Sequence, residues 1–407
     1  MDPAASGAAA TLTYCTNVHP GANLAEVERS LDEYTVAVAR RFRPDGPFPV
    51  GLYVSAATAA ELAAPDRLAR FAEFLAERRL AVATFNCYPY GGFHRESVKL
   101  AVYQPSWIDA ARVEFTLQAA RAAAALAPLG SCVPISTLGG GCKLSGDGPE
   151  VHRAMAKNLA TTAAGLERIA EETGREVVLC LEPEPFTTLE TTAEAIRFFA
   201  GPLQSRAART AYVAAGGVAA RADAVLRRHL ALCYDCCHQA VEYEEPAAAI
   251  GALRAGGIRI GKLQLSSALA ARAGGDRAKQ LAALRRFVEP RWLHQSLLRT
   301  GDGAIVRHLD LDSALQPFAA ADRGAELRVH YHVPIDCDDV DGLATTRADW
   351  IAAARAAVRL GATGCFEVET YTLPTLPAGS GAKELIEALV VELGAADQVL
   401  RAAESPS

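Results

Sequence analysis

No stretch of this sequence approaches the roughly 20 continuous apolar residues that a membrane-crossing helix needs. Its alanine-rich runs, such as AARAAAALAPLG, are short or broken by arginine. Positive charge is in short supply: 41 lysines and arginines face 47 aspartates and glutamates, a net charge of −6. That balance leaves no basic footprint for nucleic acid. Cysteine is sparse, ten in 407 residues, far below a disulfide scaffold. Most of the ten (Cys15, Cys87, Cys132, Cys180, Cys233, Cys365) sit in apolar β-like runs, where a free thiol behaves as a small hydrophobe. The opening MDPAASGAAATLTYC has no basic segment leading into an apolar one, so no secretory leader is expected and a reducing cytoplasm is the expected setting. Two nucleotide signatures are missing as well. No GxGxxG follows the first apolar run, and LGGGCK lacks the spacing of a P-loop.

Half of the residues are hydrophobic and 22% are charged, enough apolar material for a large core. Nine β-rich runs punctuate the chain, at 11–18, 49–55, 80–89, 131–137, 176–185, 230–237, 258–266, 326–334 and 364–372. Between them lie amphipathic stretches such as EVHRAMAKNLATTAAGLERIAEETG, which ends in a Thr-Gly helix stop. Strand and helix in alternation predict a parallel β/α architecture, and the continuous rather than alternating apolar runs predict strands buried on both faces. A doubly wound open sheet and a (β/α)₈ TIM barrel both fit that rhythm. Polar residues collect at the C-terminal ends of many different runs, which favours the barrel, where the loops after the strands converge on one face. A single barrel domain is expected over 11–395. Nine runs are one too many for eight places. The interval 268–325 breaks the rhythm and reads as an insertion, a lid or an oligomer contact, with a homodimer as one outcome.

The run ends supply the candidate chemistry. Glu182 and Glu184, His330 and His332, and Glu367 and Glu369 are each two apart, hence on one face of a strand. Asp235 is followed three residues on by His238, and the seventh run carries Lys262 and Gln264. Each has an ordinary reading alone, as a loop ion-pair partner or a hydrogen-bonded core histidine. Together, carboxylates and imidazoles in apolar strands are costly unless paired or bound to metal. Converging, they form a mixed oxygen and nitrogen set suited to Mn, Mg, Co or Zn at an open site. Cys233 and Cys236 form a CxxC, but no second pair completes a four-cysteine site, and the motif starts inside a strand. The cysteines therefore read as packing. Earlier loops offer substrate contacts: Asn17 and His19, then Asn86, Tyr90 and His94, and Lys143 after a glycine triplet. Ordinary turn chemistry explains each equally well.

LEPEP, the D-x-x-H of DCCH and a closing EVET resemble the metal-binding pattern of the xylose isomerase-like TIM-barrel superfamily. More closely, LTYCTNVHPG, FNCYPYGGFH, HYHVPI and EVETYTLPTLP resemble the EboE family of metabolite traffic proteins, across residues 12–377. The resemblance implies a Glu, Asp, His, Glu metal set. Glu182 and Asp235 take two places and Glu369, in preference to Glu367, the last; Gln264 stands where the histidine is expected and is kept as a candidate ligand, with His332, or else His330, supplying the nitrogen. Glu182 and Glu369 would be catalytic, and His19, Asn86, Tyr90, His94, Lys143, His238, Lys262, His330 and Glu367 would face a small polyol or sugar-like substrate. The activity implied is isomerisation or epimerisation of a sugar, sugar phosphate or cyclitol by proton transfer. A metal-dependent hydrolase or phosphoesterase and a non-catalytic metabolite-binding barrel are the alternatives.

Overall fold

Seven short strands open the fold in a computed structural model that describes residues 10–94, 97–376 and 382–404. Most of the opening stretch MDPAASGAAATLTYC lies outside the described residues. The strands are β1 (Thr11–Tyr14), β2 (Phe48–Tyr53), β3 (Leu80–Asn86), β4 (Cys132–Leu138), β5 (Glu176–Glu182), β6 (Leu230–Asp235) and β7 (Ile260–Leu265). Six more follow: β8 (Ser267–Arg272), β9 (Ser296–Arg299), β10 (Ile305–His308), β11 (Glu326–Val333), β12 (Asp339–Val340) and β13 (Leu343–Thr345). The last is β14 (Cys365–Val368).

Strands β1 to β7 and β14 form one parallel sheet, ordered β1-β14-β7-β6-β5-β4-β3-β2. A parallel bridge between Cys15 and Gly51 brings β1 beside β2 and closes the ring. The expected eight-stranded barrel is present. Its strands are buried along nearly their whole length, at every position of β2 and β6, because helices cover the outside and side chains fill the inside. The helix Pro149–Thr173 shows the local logic. Proline, which has no N–H to leave unsatisfied, stands at its start, and Gly174 ends it at φ 67.

The remaining strands form a six-stranded antiparallel sheet between β7 and β14, ordered β10-β9-β11-β8-β13-β12. The ninth β-rich run, 326–334, is thus not a barrel strand but β11, inside this second sheet. The inserted unit has its own apolar core, with Leu269, Phe287, Leu298, Phe318, Leu327 and Val329 among its members. The β11–β8 register shifts between Val329 and Val333. There the His330 N–H donates instead to the Gln295 carbonyl at 2.8 Å. Such irregularities re-aim side chains, and this one carries both histidines of HYH. Among the described residues, no helix is long and apolar enough to cross a membrane.

Candidate metal centre and active-site cavity

Glu182 ends β5, Asp235 ends β6 and Glu369 follows β14 by one residue. Parallel strands in a closed ring deliver these ends to one rim, and one ligand oxygen of each lies within 4.8 Å of the other two. All three residues are buried. Asp235 also caps the helix Cys236–Val241: its Oδ1 accepts the His238 N–H at 2.8 Å, and the Ser266 hydroxyl donates to both its oxygens at 2.9 and 3.0 Å. Glu369 Oε1 accepts amide N–H groups from Asn17 at 2.7 Å and Asn86 at 3.0 Å. Glu182 Oε2 and Glu369 Oε2 have no hydrogen-bond partner at all. Burial, then the charge of Asp235, pushes the Glu182 carboxyl well above its usual range. Burial, then Glu182 and Asp235, does the same to Glu369. Two orphaned buried carboxylate oxygens with a third carboxylate in reach are the donor chemistry of a divalent cation, so these residues fit one.

Three histidines meet beside the carboxylates. His238 comes from the first turn of the helix after β6; His330 and His332 come from alternate positions of β11. His330 Nε2 lies 3.0 Å from His238 Nε2 and 3.2 Å from His332 Nε2. Burial lowers all three, His238 to about 4 and His330 well below the usual imidazole value. Asp235, His238 and His332 also offer ligand atoms within 4.8 Å of one another.

A cavity opens onto this rim between the barrel and the inserted sheet. Of the residues singled out from sequence, Asn17, Asn86, Glu182, Glu184, His238, His330, His332 and Glu369 line it, with Asp235 fully buried next to them. His94 stands close by, its Nε2 2.7 Å from the Asn17 carbonyl and its ring edge-on to Trp292. The others are not among the lining residues. His19 contacts the Tyr14 hydroxyl at 3.1 Å and stacks on Tyr34. Tyr90 packs edge-on against Phe115. Lys143 is held by Glu190 and Glu194 at 2.5 and 2.7 Å, and a Cβ on Gly139 or Gly140 of the preceding triplet would collide with the Glu182 carbonyl or Thr188. Lys262 and Glu367 pair at 2.5 Å inside the barrel, and Gln264 accepts from the Cys233 thiol at 3.1 Å beside them.

Several lining residues went unassigned in the sequence. Glu184 accepts from the Tyr88 hydroxyl, from Gln295 Nε2 at 2.5 Å and from the Tyr103 hydroxyl at 3.4 Å. Burial pushes its carboxyl up to about 7 against those hydrogen bonds. Its signal was the two-residue spacing from Glu182 in LEPEP. Phe93, Trp292 and Tyr371 form a roof, with ring centroids 5.0 to 5.3 Å apart. Nothing in the sequence joins three rings from three distant loops.

No protein-family model matches the chain, and no curated protein matches it. Among solved structures it is similar to an L-ribulose 3-epimerase, at 14% identity and TM-score 0.48, covering 97% of this chain and 96% of that one. It is also similar to the D-psicose 3-epimerase of Clostridium cellulolyticum H10 solved with D-tagatose, at 11% and 0.47, covering 97% and 100%. A third is the IOLI protein with a binding zinc atom, at 11% and 0.46, with the same coverage. The barrel itself is established by its own strand order, independently of these likenesses.

Proposed function

We propose that this chain is a divalent-metal-dependent isomerase or epimerase of a small polyol, a sugar, sugar phosphate or cyclitol. The observation that carries this reading is the buried meeting of Glu182, Asp235 and Glu369 within 4.8 Å, with an oxygen of Glu182 and one of Glu369 left without a partner. These three residues would hold the ion, with His332 as the nitrogen ligand. A divalent cation there would polarise a carbonyl and its neighbouring hydroxyl and ease loss of the proton between them.

Glu182 and Glu369 come from strands three places apart in the ring and thus flank the space between them. Each would combine holding the ion with taking a proton from one carbon and returning it to another carbon or the opposite face. Asn17 and Asn86 fix the orientation of Glu369. The Phe93, Trp292 and Tyr371 roof excludes water from the exchange. We read the inserted sheet as the lid of this cavity, since Trp292, Leu293, His330 and His332 all belong to that segment. The EboE-type motifs support a place in a metabolite biosynthesis or traffic pathway, and ten free cysteines, eight of them buried, suit a reducing compartment.

The test is isotopic. Metal-loaded protein is incubated in deuterium oxide with a panel of ketoses, ketose phosphates and cyclitol ketones. Deuterium is expected at the carbon beside the carbonyl of the accepted compound, and its incorporation stops in Glu182→Gln. Phosphate release without deuterium uptake would replace this reading with a phosphoesterase.

A further inference from the structure

We propose that the substrate of this cavity is an uncharged hydroxy-carbonyl compound carrying an apolar aryl or alkyl substituent under the aromatic roof, rather than a phosphate ester. This rests on the reading of the rim as a metal-held hydroxy-carbonyl site, and narrows what that site accepts.

The cavity has two chemically different parts. One is the rim of carboxylates and histidines. The other is lined by Phe93, Val98, Val102, Trp292, Leu293 and Tyr371. Phe93, Trp292 and Tyr371 form an apolar cluster with Tyr53, distinct from the barrel core, and Val98 and Val102 pack against it. Trp292 spends its one side-chain N–H on the Phe93 carbonyl at 3.0 Å. The Tyr371 hydroxyl is then the only uncommitted polar side-chain group on these six residues. A bare sugar carries a hydroxyl on nearly every carbon, and each one loses water on entering such a wall without a partner to replace it. Apolar surface on the ligand meets no such penalty, and a wall of this kind takes it up.

The donors of the lining tell against an anion. Asn17 and Asn86 direct amide N–H groups to Glu369 at 2.7 and 3.0 Å, and the Tyr88 hydroxyl donates to Glu184. His238 and His332 turn Nδ1 toward the Pro183 and Glu369 carbonyls at 3.1 and 2.6 Å, which can only accept. Among the described residues, Lys99 is the only lysine or arginine in the lining. Its ammonium is already held by the Glu289 carbonyl at 3.1 Å, the Trp292 carbonyl at 2.7 Å and the Asp310 carboxylate at 2.6 Å. All three acceptors belong to the inserted segment, so Lys99 is spent on fastening the roof to the barrel. Arg291 packs on the Trp292 ring, 5.0 Å from its centroid, and is not among the lining residues. Glu182, Glu184 and Glu369 line the cavity and Asp235 adjoins it. A divalent ion offsets only two of those four carboxylates, so a phosphate brought in beside them meets like charge at short range.

The measurement is isothermal titration calorimetry on the zinc-loaded full chain. Three compounds share one hydroxy-ketone head: dihydroxyacetone, its monobenzyl ether and dihydroxyacetone phosphate. The benzyl ether is expected to bind about 10–100-fold tighter than dihydroxyacetone, the scale of burying one aromatic side chain. The phosphate is expected to bind no tighter than dihydroxyacetone. Trp292→Ala should bring the ratio of the two uncharged affinities toward one. Val102→Ser, at a half-buried position, should lower that ratio less and serves if the alanine variant folds poorly. Equal affinity for the benzyl ether and dihydroxyacetone in wild type overturns the proposal. Tighter binding of the phosphate, or a benzyl gain that both variants keep in full, overturns it too. The same titration on zinc-free protein separates this inference from the reading beneath it. A benzyl gain without zinc-dependent binding or deuterium uptake upholds the apolar subsite and removes the metal-held head. Deuterium uptake by simple ketoses with no benzyl gain does the reverse.

Discussion

Glu367 and Glu369 are two residues apart on one strand end, equally buried, and treated in opposite ways. In the barrel interior, Glu367 meets the Lys262 ammonium at 2.5 Å, with the Thr84 hydroxyl 3.3 Å from the same nitrogen. Gly51 leaves the room for it, since a Cβ there would collide with Glu367 Oε1. Burial pulls Lys262 down, but Glu367 and its neighbours outweigh that and hold it well above its usual value. At the rim, Glu369 has two asparagine amides and two neighbouring carboxylates, with no basic side chain in contact among the described residues. The interior carboxylate has a cation supplied by the chain at one oxygen, although its Oε1, like Glu369 Oε2, has no hydrogen-bond partner; the rim carboxylate has no such cation. The largest expected effect tests the interior half. Lys262→Met leaves a buried, unpaired carboxylate and should lower unfolding stability by about 3–5 kcal/mol, read by urea denaturation. Lys262→Met with Glu367→Met should recover most of the loss. If the single change is harmless, the interior pair does not hold the barrel and the contrast fails.

The rim answers differently. Glu369→Gln removes one of three like charges, so the metal-free protein should be as stable as wild type or more so, while metal affinity collapses. Asn17→Ala leaves the ligands in place but removes one of the two amides that orient Glu369, a loss typically worth about 10–100-fold in metal affinity. Dialysis against zinc, alongside thermal unfolding of the metal-free forms, separates the two. A metal-free Glu369→Gln protein clearly less stable than wild type would make Glu369 a structural residue like Glu367.

How legible this contrast was depends on the length of the signal. Eight barrel strands could be read because each is a local apolar run, and the ends of β5 and β6 brought Glu182 and Asp235 into view. The ninth run is just as apolar, yet β11 belongs to the inserted sheet; strand pairing is a long-range choice that periodicity does not encode. HYH was therefore visible as chemistry but not as an element that reaches across to His238. Lys262 and Glu367 looked like site residues because a charge in an apolar strand looks the same whether its partner is a ligand or another strand. Lys143 stood out through its glycines, which serve close packing against Thr188, while its ammonium is held by Glu190 and Glu194. Trp292, Phe93 and Tyr371 carry no shared local pattern, so their roof could only be seen folded.

A third buried carboxylate sharpens the comparison by pH. Glu392 accepts from the Thr370 hydroxyl at 2.7 Å and the Ile335 N–H at 3.0 Å, and its Oε2 has no partner. Burial lifts its carboxyl from 4.5 to about 8 despite those hydrogen bonds. The folded chain then keeps a proton that the unfolded chain releases above about pH 4.5. Its stabilising contribution is full below that pH and is lost as pH rises through about 8. Glu392→Gln should flatten this decline, and zinc should leave it unchanged, whereas zinc should abolish the decline in the same direction that raised Glu182 and Glu369 impose on the metal-free protein. A zinc-dependent Glu392 slope would mean that the rim and the helix Ala382–Glu404, which carries Glu392, are not electrostatically separate.

The smallest effect expected comes from the cysteines crowded beside Asp235. Cys237 Sγ lies within 4.8 Å of a ligand nitrogen of His330 and of His332, so proximity alone would make it a ligand. Ligation needs a thiolate, and burial, then the charge of Asp235, pushes the thiols of Cys236 and Cys237 well above their usual value. Cys237 instead packs with Val241, Ala268 and Leu297, on the apolar side of the helix that carries His238. Cys236→Ala and Cys237→Ala should therefore keep the wild-type metal count and lose only about 1 kcal/mol of stability each, the scale of a small deletion in a packed core. Loss of bound zinc in Cys237→Ala would make its sulfur a ligand beside His330 and His332 and would overturn the reading of these cysteines as packing.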